Sequence, residues 1–217
     1  MSCWAVVPIK RRAMCKRRLA GELQRRERLQ LVRRMLANVV DAVLRSKRVA
    51  ALAFVSEERD TIPAGIPVLA DGGAGLDCAL DAARQALRAR GAGELVVLPA
   101  DLPFVTGAEI DLLVDSGRRA GCAVASDRAG AGTNGLWLPA AAPFRFQFGA
   151  GSRLRHVAEA RRLGLAPAIV SAPGLAFDVD GPADLAELLA SGDARYLALG
   201  AHSRENRWSV RRQRRCG

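Results

Sequence analysis

Lysine is almost missing from this chain. Of its 33 basic residues only Lys10, Lys16 and Lys47 are lysine. Arginine is a planar fork, whereas lysine is a compact point charge on a flexible stem, so Lys10 and Lys16 read as point charges for phosphate, with chance placement the plain alternative. These two share one loop. Aromatic residues are also scarce, at 5%, which argues against the stacking platforms of a single-strand nucleic-acid binder. No apolar run is long enough to cross a membrane. The N-terminus, MSCWAVVPIKRR, places its charges after the apolar run, the reverse of a secretory signal. Five cysteines (Cys3, Cys15, Cys78, Cys122, Cys216) form no C-x-x-C pair. An odd, dispersed set argues against a disulfide framework or a zinc site and for reduced thiols in the cytoplasm.

Half of the 217 residues are hydrophobic, enough for one domain with a core of Ala, Leu and Val. The net charge of +11 is local. Residues 10–34 hold eleven Lys and Arg against Glu22 and Glu27, and residues 201–217 hold six Arg against Glu205. The remainder is net acidic. The last seventeen residues lose the apolar period and read as a basic, disordered tail after a domain over 1–200.

Apolar runs alternate with helical periods. Strands are expected at Trp4–Ile9, Val49–Val55, Ile66–Ala70, Glu94–Leu98, Cys122–Ser126, Thr133–Leu138, Ala168–Ser171 and Leu175–Phe177. Helices are expected at 26–47, from Leu76 to near Gly91, from the Thr106/Glu109 capping box to about Arg119, at 151–163 and from Pro182. This rhythm predicts an α/β fold: a single-domain, three-layer α/β/α sandwich on a mostly parallel sheet. Trp4 and Trp137 read as core.

Asp101 follows the apolar strand Leu95–Leu98 between two prolines. A carboxylate there stands at the sheet rim where α/β folds bind ligands. Asp178 and Asp180, at i and i+2 on an extended chain, present two carboxylates together with Val179 facing inward. With Asp101 they form a candidate oxygen site for Mg²⁺. The plain alternative for Asp180 is a helix cap. The loop after the first strand lacks a P-loop pattern, so phosphate there must meet side-chain cations, Lys10, Lys16 and Arg18. Asp127–Gly132 reads as a flexible loop. Within it, Gly130 and Gly132 allow a close backbone approach, and Thr133, Gly149 and Ser152 offer donors. Ser152 is either an anion contact at a helix start or simply an N-cap. His156, one turn on, is either a ligand contact or a structural histidine.

The segments WAVVPIK…KRRLA, VVLPADLP, GTNGLWLP, FGAGSRLRH and FDVDGPADL, in this order over about residues 1–200, resemble the 2-phospho-L-lactate guanylyltransferases. These are nucleotidyltransferases of deazaflavin cofactor (coenzyme F-420) biosynthesis. The resemblance implies a nucleotide-diphosphosugar-transferase-like (Rossmann-like) fold, Mg²⁺-dependent use of GTP, and metal ligands at Asp101, Asp178 and Asp180. It also implies acceptor contacts at Thr133, Gly149 and Ser152, with Asn134 in the same binding segment. The acceptor implied is 2-phospho-L-lactate, phosphoenolpyruvate or 3-phospho-D-glycerate, and the Arg- and Ala-rich composition leans towards the last two. Arg17 stands where the family usually has Ser or Thr, and Asp77 where it often has Asn.

The expected chemistry is in-line transfer of GMP from GTP to the phosphate of a three-carbon acid, with pyrophosphate leaving. A phosphate monoester is already an anionic nucleophile, so positioning and charge neutralisation carry the catalysis. A molybdenum-cofactor nucleotidyltransferase is the nearest alternative, but that family uses a Gly-rich loop where this chain has Pro8-Ile9-Lys10. A nucleic-acid binder is suggested only by the basic tail, so no specific nucleic acid is expected. A second copy of the chain, as a homodimer, is the one protein partner allowed for.

Overall fold

The computed structural model describes residues 2–9, 16–57, 62, 65–197 and 199. Lys10 and the expected tail lie outside the described residues.

Seven strands form one sheet. In chain order they are β1 Ser2–Pro8, β2 Ala51–Val55, β3 Val68–Leu69, β4 Ala92–Val97, β5 Ala123–Ser126, β6 Thr133–Pro139 and β7 Ala168–Val170. The helices are α1 Arg25–Arg45, α2 Leu76–Ala89, α3 Gly107–Ala120, α4 Ser152–Arg162, α5 Pro173–Ala176, α6 Pro182–Ala190 and α7 Ala194–Leu197. The sheet order is β3-β2-β1-β4-β6-β5-β7. Only β6 runs against the rest, antiparallel to both β4 and β5. The short Asp127–Gly132 connection explains this, because a loop of that length can only return the chain alongside itself.

Two cores flank the sheet. Leu36 and Val39 of α1, Ile110 and Leu113 of α3 and Leu175 of α5 pack on one face. Leu80 and Leu87 of α2 and Ala160 of α4 pack on the other. A third cluster joins Leu19, Leu31, Met35, Phe177, Val179 and Leu185. It ties the basic loop to the Asp178–Asp180 segment. Each fully buried Leu in it contributes roughly 1.5–3 kcal/mol by leaving water.

One expectation is corrected. Leu175–Phe177 is no strand: Pro173–Ala176 is a single helical turn with Pro173 at its start. Three apolar residues carry no period, so helix and strand are indistinguishable at that length. Pro173 presets the helical φ, and Glu109 Oε1 accepts the Gly174 N–H at 2.7 Å. Asp127–Gly132 is a loop, as expected, and it is internally bonded. Asp127 accepts from the amides of Ala131 and Gly132, both at 2.8 Å, and closes it.

Candidate active site

After β1 the chain crosses to β2 on one side, while β4 inserts on the other. Val6 pairs with Val97 in parallel, and the pairing continues as Leu98 N–H donates to Val6 O at 3.0 Å. The ends of β1 and β4 therefore diverge at a topological switch point, where open α/β sheets form their ligand crevice. A cleft of about 430 Å³ opens there, lined by Pro8, Ile9, Lys16, Arg18, Asp101 and Asp180 among others.

Lys16 organises this cleft. Its backbone is left-handed (φ 49°), a conformation that costs a side-chain-bearing residue about 1–2 kcal/mol. The Arg17–Leu19 3₁₀ turn follows at once, and Leu19 is fully buried. The Lys16 ammonium lies 2.5 Å from Asp101 Oδ2 and 2.9 Å from Asp180 Oδ1, with its side chain only 11% exposed. Burial works against that charge, but the two carboxylates outweigh it and hold the pKa above the usual lysine value. Arg18 is exposed, with Nη1 3.9 Å from Asp180 Oδ2. The carboxylate of Asp184 accepts from the amides of Asp180 (3.0 Å) and Gly181 (2.8 Å), which fixes the start of α6. The capping role belongs to Asp184, and Asp180 keeps its carboxylate for the cleft.

Asp178 faces Asn134, whose Nδ2 donates to Asp178 Oδ1 at 3.1 Å. Burial pushes the Asp178 carboxyl up, Asn134 pulls it down, and the charges of Asp101 and Asp180 push it up again. Val179 is fully buried between the two acids. Among the described residues no three acidic, His or Cys side chains converge into a metal cage. Asp101 and Asp180 already share one cation, however. A two-carboxylate site completed by nucleotide phosphate oxygens and water suits Mg²⁺.

The acceptor-side candidates gather around α4. The β5–β6 register slips so that Ser126 faces Thr133 and Ala125 faces Gly135, leaving Asn134 as the extra residue. Such a bulge re-aims side chains. Here Asn134 reaches Asp178, while Thr133 Oγ1 lies 3.0 Å from His156 Nδ1. His156 is fully buried, and its Nε2 accepts the Gln147 N–H at 3.0 Å. It is therefore no direct ligand contact. Burial, then the nearby Arg155 charge, push its pKa down to about 4, against a weaker pull from Glu159.

Ser152 is not the cap of α4. Gly151, left-handed at φ 70°, precedes the helix and Ser152 is its first residue. The Ser152 amide, at the expected anion site, is taken: it donates to Gly149 O at 3.0 Å, and the next amide, that of Arg153, donates to Ala131 O at 3.1 Å. Gly149 (φ 103°) sits in a turn where a Cβ would be strained. Arg155 braces that turn, with Nη2 donating to the carbonyls of Gln147 (3.0 Å) and Phe148 (3.2 Å). Asp77 accepts the Phe148 N–H at 2.9 Å, a bond that an Asn carbonyl could also accept.

The fold and the cleft suit a nucleotidyltransferase. The family model described as "Guanylyl transferase CofC like" matches residues 3–213. The chain belongs to this family. A phosphoenolpyruvate guanylyltransferase of Sphaerobacter thermophilus is 39% identical over 95% of this chain and 99% of its own. A 3-phospho-D-glycerate guanylyltransferase of Phenylobacterium zucineum is 30% identical over 94% of this chain and 97% of its own. A 2-phospho-L-lactate guanylyltransferase of Methanothermobacter thermautotrophicus is 31% identical over 94% and 89%. Among solved structures, a Desulfovibrio desulfuricans protein named as a candidate nucleotide-diphospho-sugar transferase superposes with a TM-score of 0.74 at 16% identity, covering 98% of each chain. The fold is that of the nucleotide-diphospho-sugar transferases, as expected. The family match extends past residue 200, further than the motifs read from the sequence. No helix among the described residues is long and apolar enough to cross a membrane.

Proposed function

We propose that this guanylyltransferase joins GMP from GTP to the phosphate of a three-carbon phospho-acid, with phosphoenolpyruvate the first choice, in deazaflavin cofactor biosynthesis. The observation that carries the proposal is the cleft at the β1/β4 switch point with Asp101 and Asp180 converging on Lys16. Relatives at 35–39% identity are named for phosphoenolpyruvate, which favours that acid over the other two.

In this reading an oxygen of the acceptor phosphate attacks the α-phosphorus of GTP. The bond from that phosphorus to the oxygen bridging to the β-phosphate breaks, and pyrophosphate leaves. Two anions must meet, so the work is neutralisation and alignment rather than proton abstraction. Lys16 and Arg18 would face the triphosphate, and Lys10 is the third cation assigned to it from the sequence. Asp101 and Asp180 would hold Mg²⁺ in place of the Lys16 ammonium that they bind here, with Asp178 behind them. When bound, that ion supplies positive charge to the phosphates. Thr133, Gly149 and Ser152 would receive the acid.

The test is pyrophosphate release from GTP and Mg²⁺ with each of the three acids in turn. Release that depends on the acid, strongest with phosphoenolpyruvate, is expected. Release with none of them would refute the reading.

A further inference from the structure

His156 has no place in the chemistry above, yet it is the most completely enclosed titratable side chain near the acceptor candidates. Its two nitrogens face partners of different kinds. A backbone amide can only donate, so the Gln147 N–H at 3.0 Å requires Nε2 to be bare. A neutral imidazole with a bare Nε2 carries its proton on Nδ1. Nδ1–H then donates to Thr133 Oγ1 at 3.0 Å. Filling that hydroxyl lone pair forbids the Thr133 proton from turning towards the histidine, where two hydrogens would collide.

We infer that His156 is a positioning residue: it locks Thr133 as a hydrogen-bond donor aimed at an anionic oxygen of the acceptor acid. The inference rests on the reading of Thr133 as an acceptor contact. The surroundings support the locked state. Phe144 and Phe148 pack on the imidazole, with ring centroids at 5.8 and 4.7 Å. Burial and Arg155 keep the ring neutral down to about pH 4. The bulge at Asn134 brings Thr133 to this helix. The same histidine thus fixes both a hydroxyl on β6 and the segment leading to Gly149. A hydroxyl already turned towards its anion loses no rotor freedom on binding, and a hydrogen bond to a charged group gains most from such preparation.

Two measurements test this on the intact protein. Long-range ¹H–¹⁵N NMR of the wild type reads the tautomer directly, and a proton on Nδ1 is expected. Kinetics with H156Q, T133V and the double variant read the consequence. Gln can still accept from Gln147 through its amide oxygen, but its polar atoms lie one bond further out than Nδ1, so the position facing Thr133 loses its donor. H156Q and T133V should each raise the acceptor KM about 10-fold, the loss expected for one hydrogen bond to a charged group. The GTP KM should stay within about twofold, and the double variant should be no worse than T133V alone, the mark of two residues acting as a unit. A proton on Nε2 would overturn the inference. So would an unchanged acceptor KM in H156Q when T133V raises it, a result that leaves the acceptor site at Thr133 standing. An unchanged acceptor KM in T133V would remove Thr133 from the site and take the inference with it. If H156Q does not fold, the NMR tautomer decides.

Discussion

Asp101 and Asp180 bind one ammonium, that of Lys16, at 2.5 and 2.9 Å. They are far apart in sequence, one in the turn after β4 and the other just before α6. Their meeting defines the centre of the cleft. One ammonium between two carboxylates leaves the trio net negative, so removing Lys16 leaves two like charges at close range with nothing between them.

Asp101→Asn should lower kcat roughly 10²–10³-fold at saturating GTP and Mg²⁺, the usual loss for one charge-stabilising group. Steady-state pyrophosphate release measures it. Turnover within a few-fold of wild type would remove Asp101 from the site.

Lys16→Ala leaves Asp101 and Asp180 facing each other without their shared cation. A fall of roughly the same size is expected, with GTP binding weakened as well. Lys16→Arg should not restore full activity, because a planar fork cannot bring both carboxylates to one point. Equal kcat and GTP KM in wild type and Lys16→Ala would contradict the loop assignment.

Leu19→Ala tests whether packing sets the loop. Leu19 is fully buried against the cluster that contains Val179. Its truncation should cost about 2–5 kcal/mol of stability and raise the GTP KM, since the Lys16 turn and the Asp180 segment lose their common anchor. Urea unfolding and initial rates read the two effects. Lost stability with unchanged GTP KM would separate the cluster from the site.

Acid should weaken the fold through His156. Its folded pKa is pushed down to about 4 by burial, while an unfolded histidine takes its proton near pH 6.5. The unfolded chain therefore binds more protons between these values. The stability tied to neutral His156 is complete above about pH 6.5 and is lost as pH falls towards 4. Its ceiling is roughly 3 kcal/mol. Denaturant unfolding at pH 7 and pH 4.5 should show a smaller loss in H156Q than in wild type. Equal losses would place His156 in water.

Much of the site is written in local pattern. An apolar strand running into Pro-Ala-Asp-Leu-Pro marks Asp101. The Asp178-Val179-Asp180 alternation foretells a buried valine, as found, but of the two acids only Asp180 lines the cleft, while Asp178 bonds Asn134. The Thr106/Glu109 box caps α3 with both reciprocal bonds. What stayed hidden depends on contacts across the sheet. The bulge at Asn134 arises from strand pairing and has no signature in GTNGLWLP. The burial of His156 follows from Phe144 and Phe148 folding over it. The taken amides at Ser152 and Arg153 depend on where Gly149 and Ala131 come to rest. Arg128 is equally silent in sequence: its guanidinium packs 4.3 Å from the Phe177 ring centre and binds Asp184 at 2.5 Å.

The most direct test follows the acceptor's own phosphorus by ³¹P NMR during reaction with GTP, Mg²⁺ and phosphoenolpyruvate. With wild-type protein the monoester signal should give way to a diphosphate pair coupled to the former α-phosphorus, with pyrophosphate appearing in equal amount. Asp101→Asn should leave the monoester signal in place. A monoester signal that persists with wild type, or a diphosphate product that forms as fast with Asp101→Asn, would contradict guanylyl transfer at the Asp101–Lys16–Asp180 cleft.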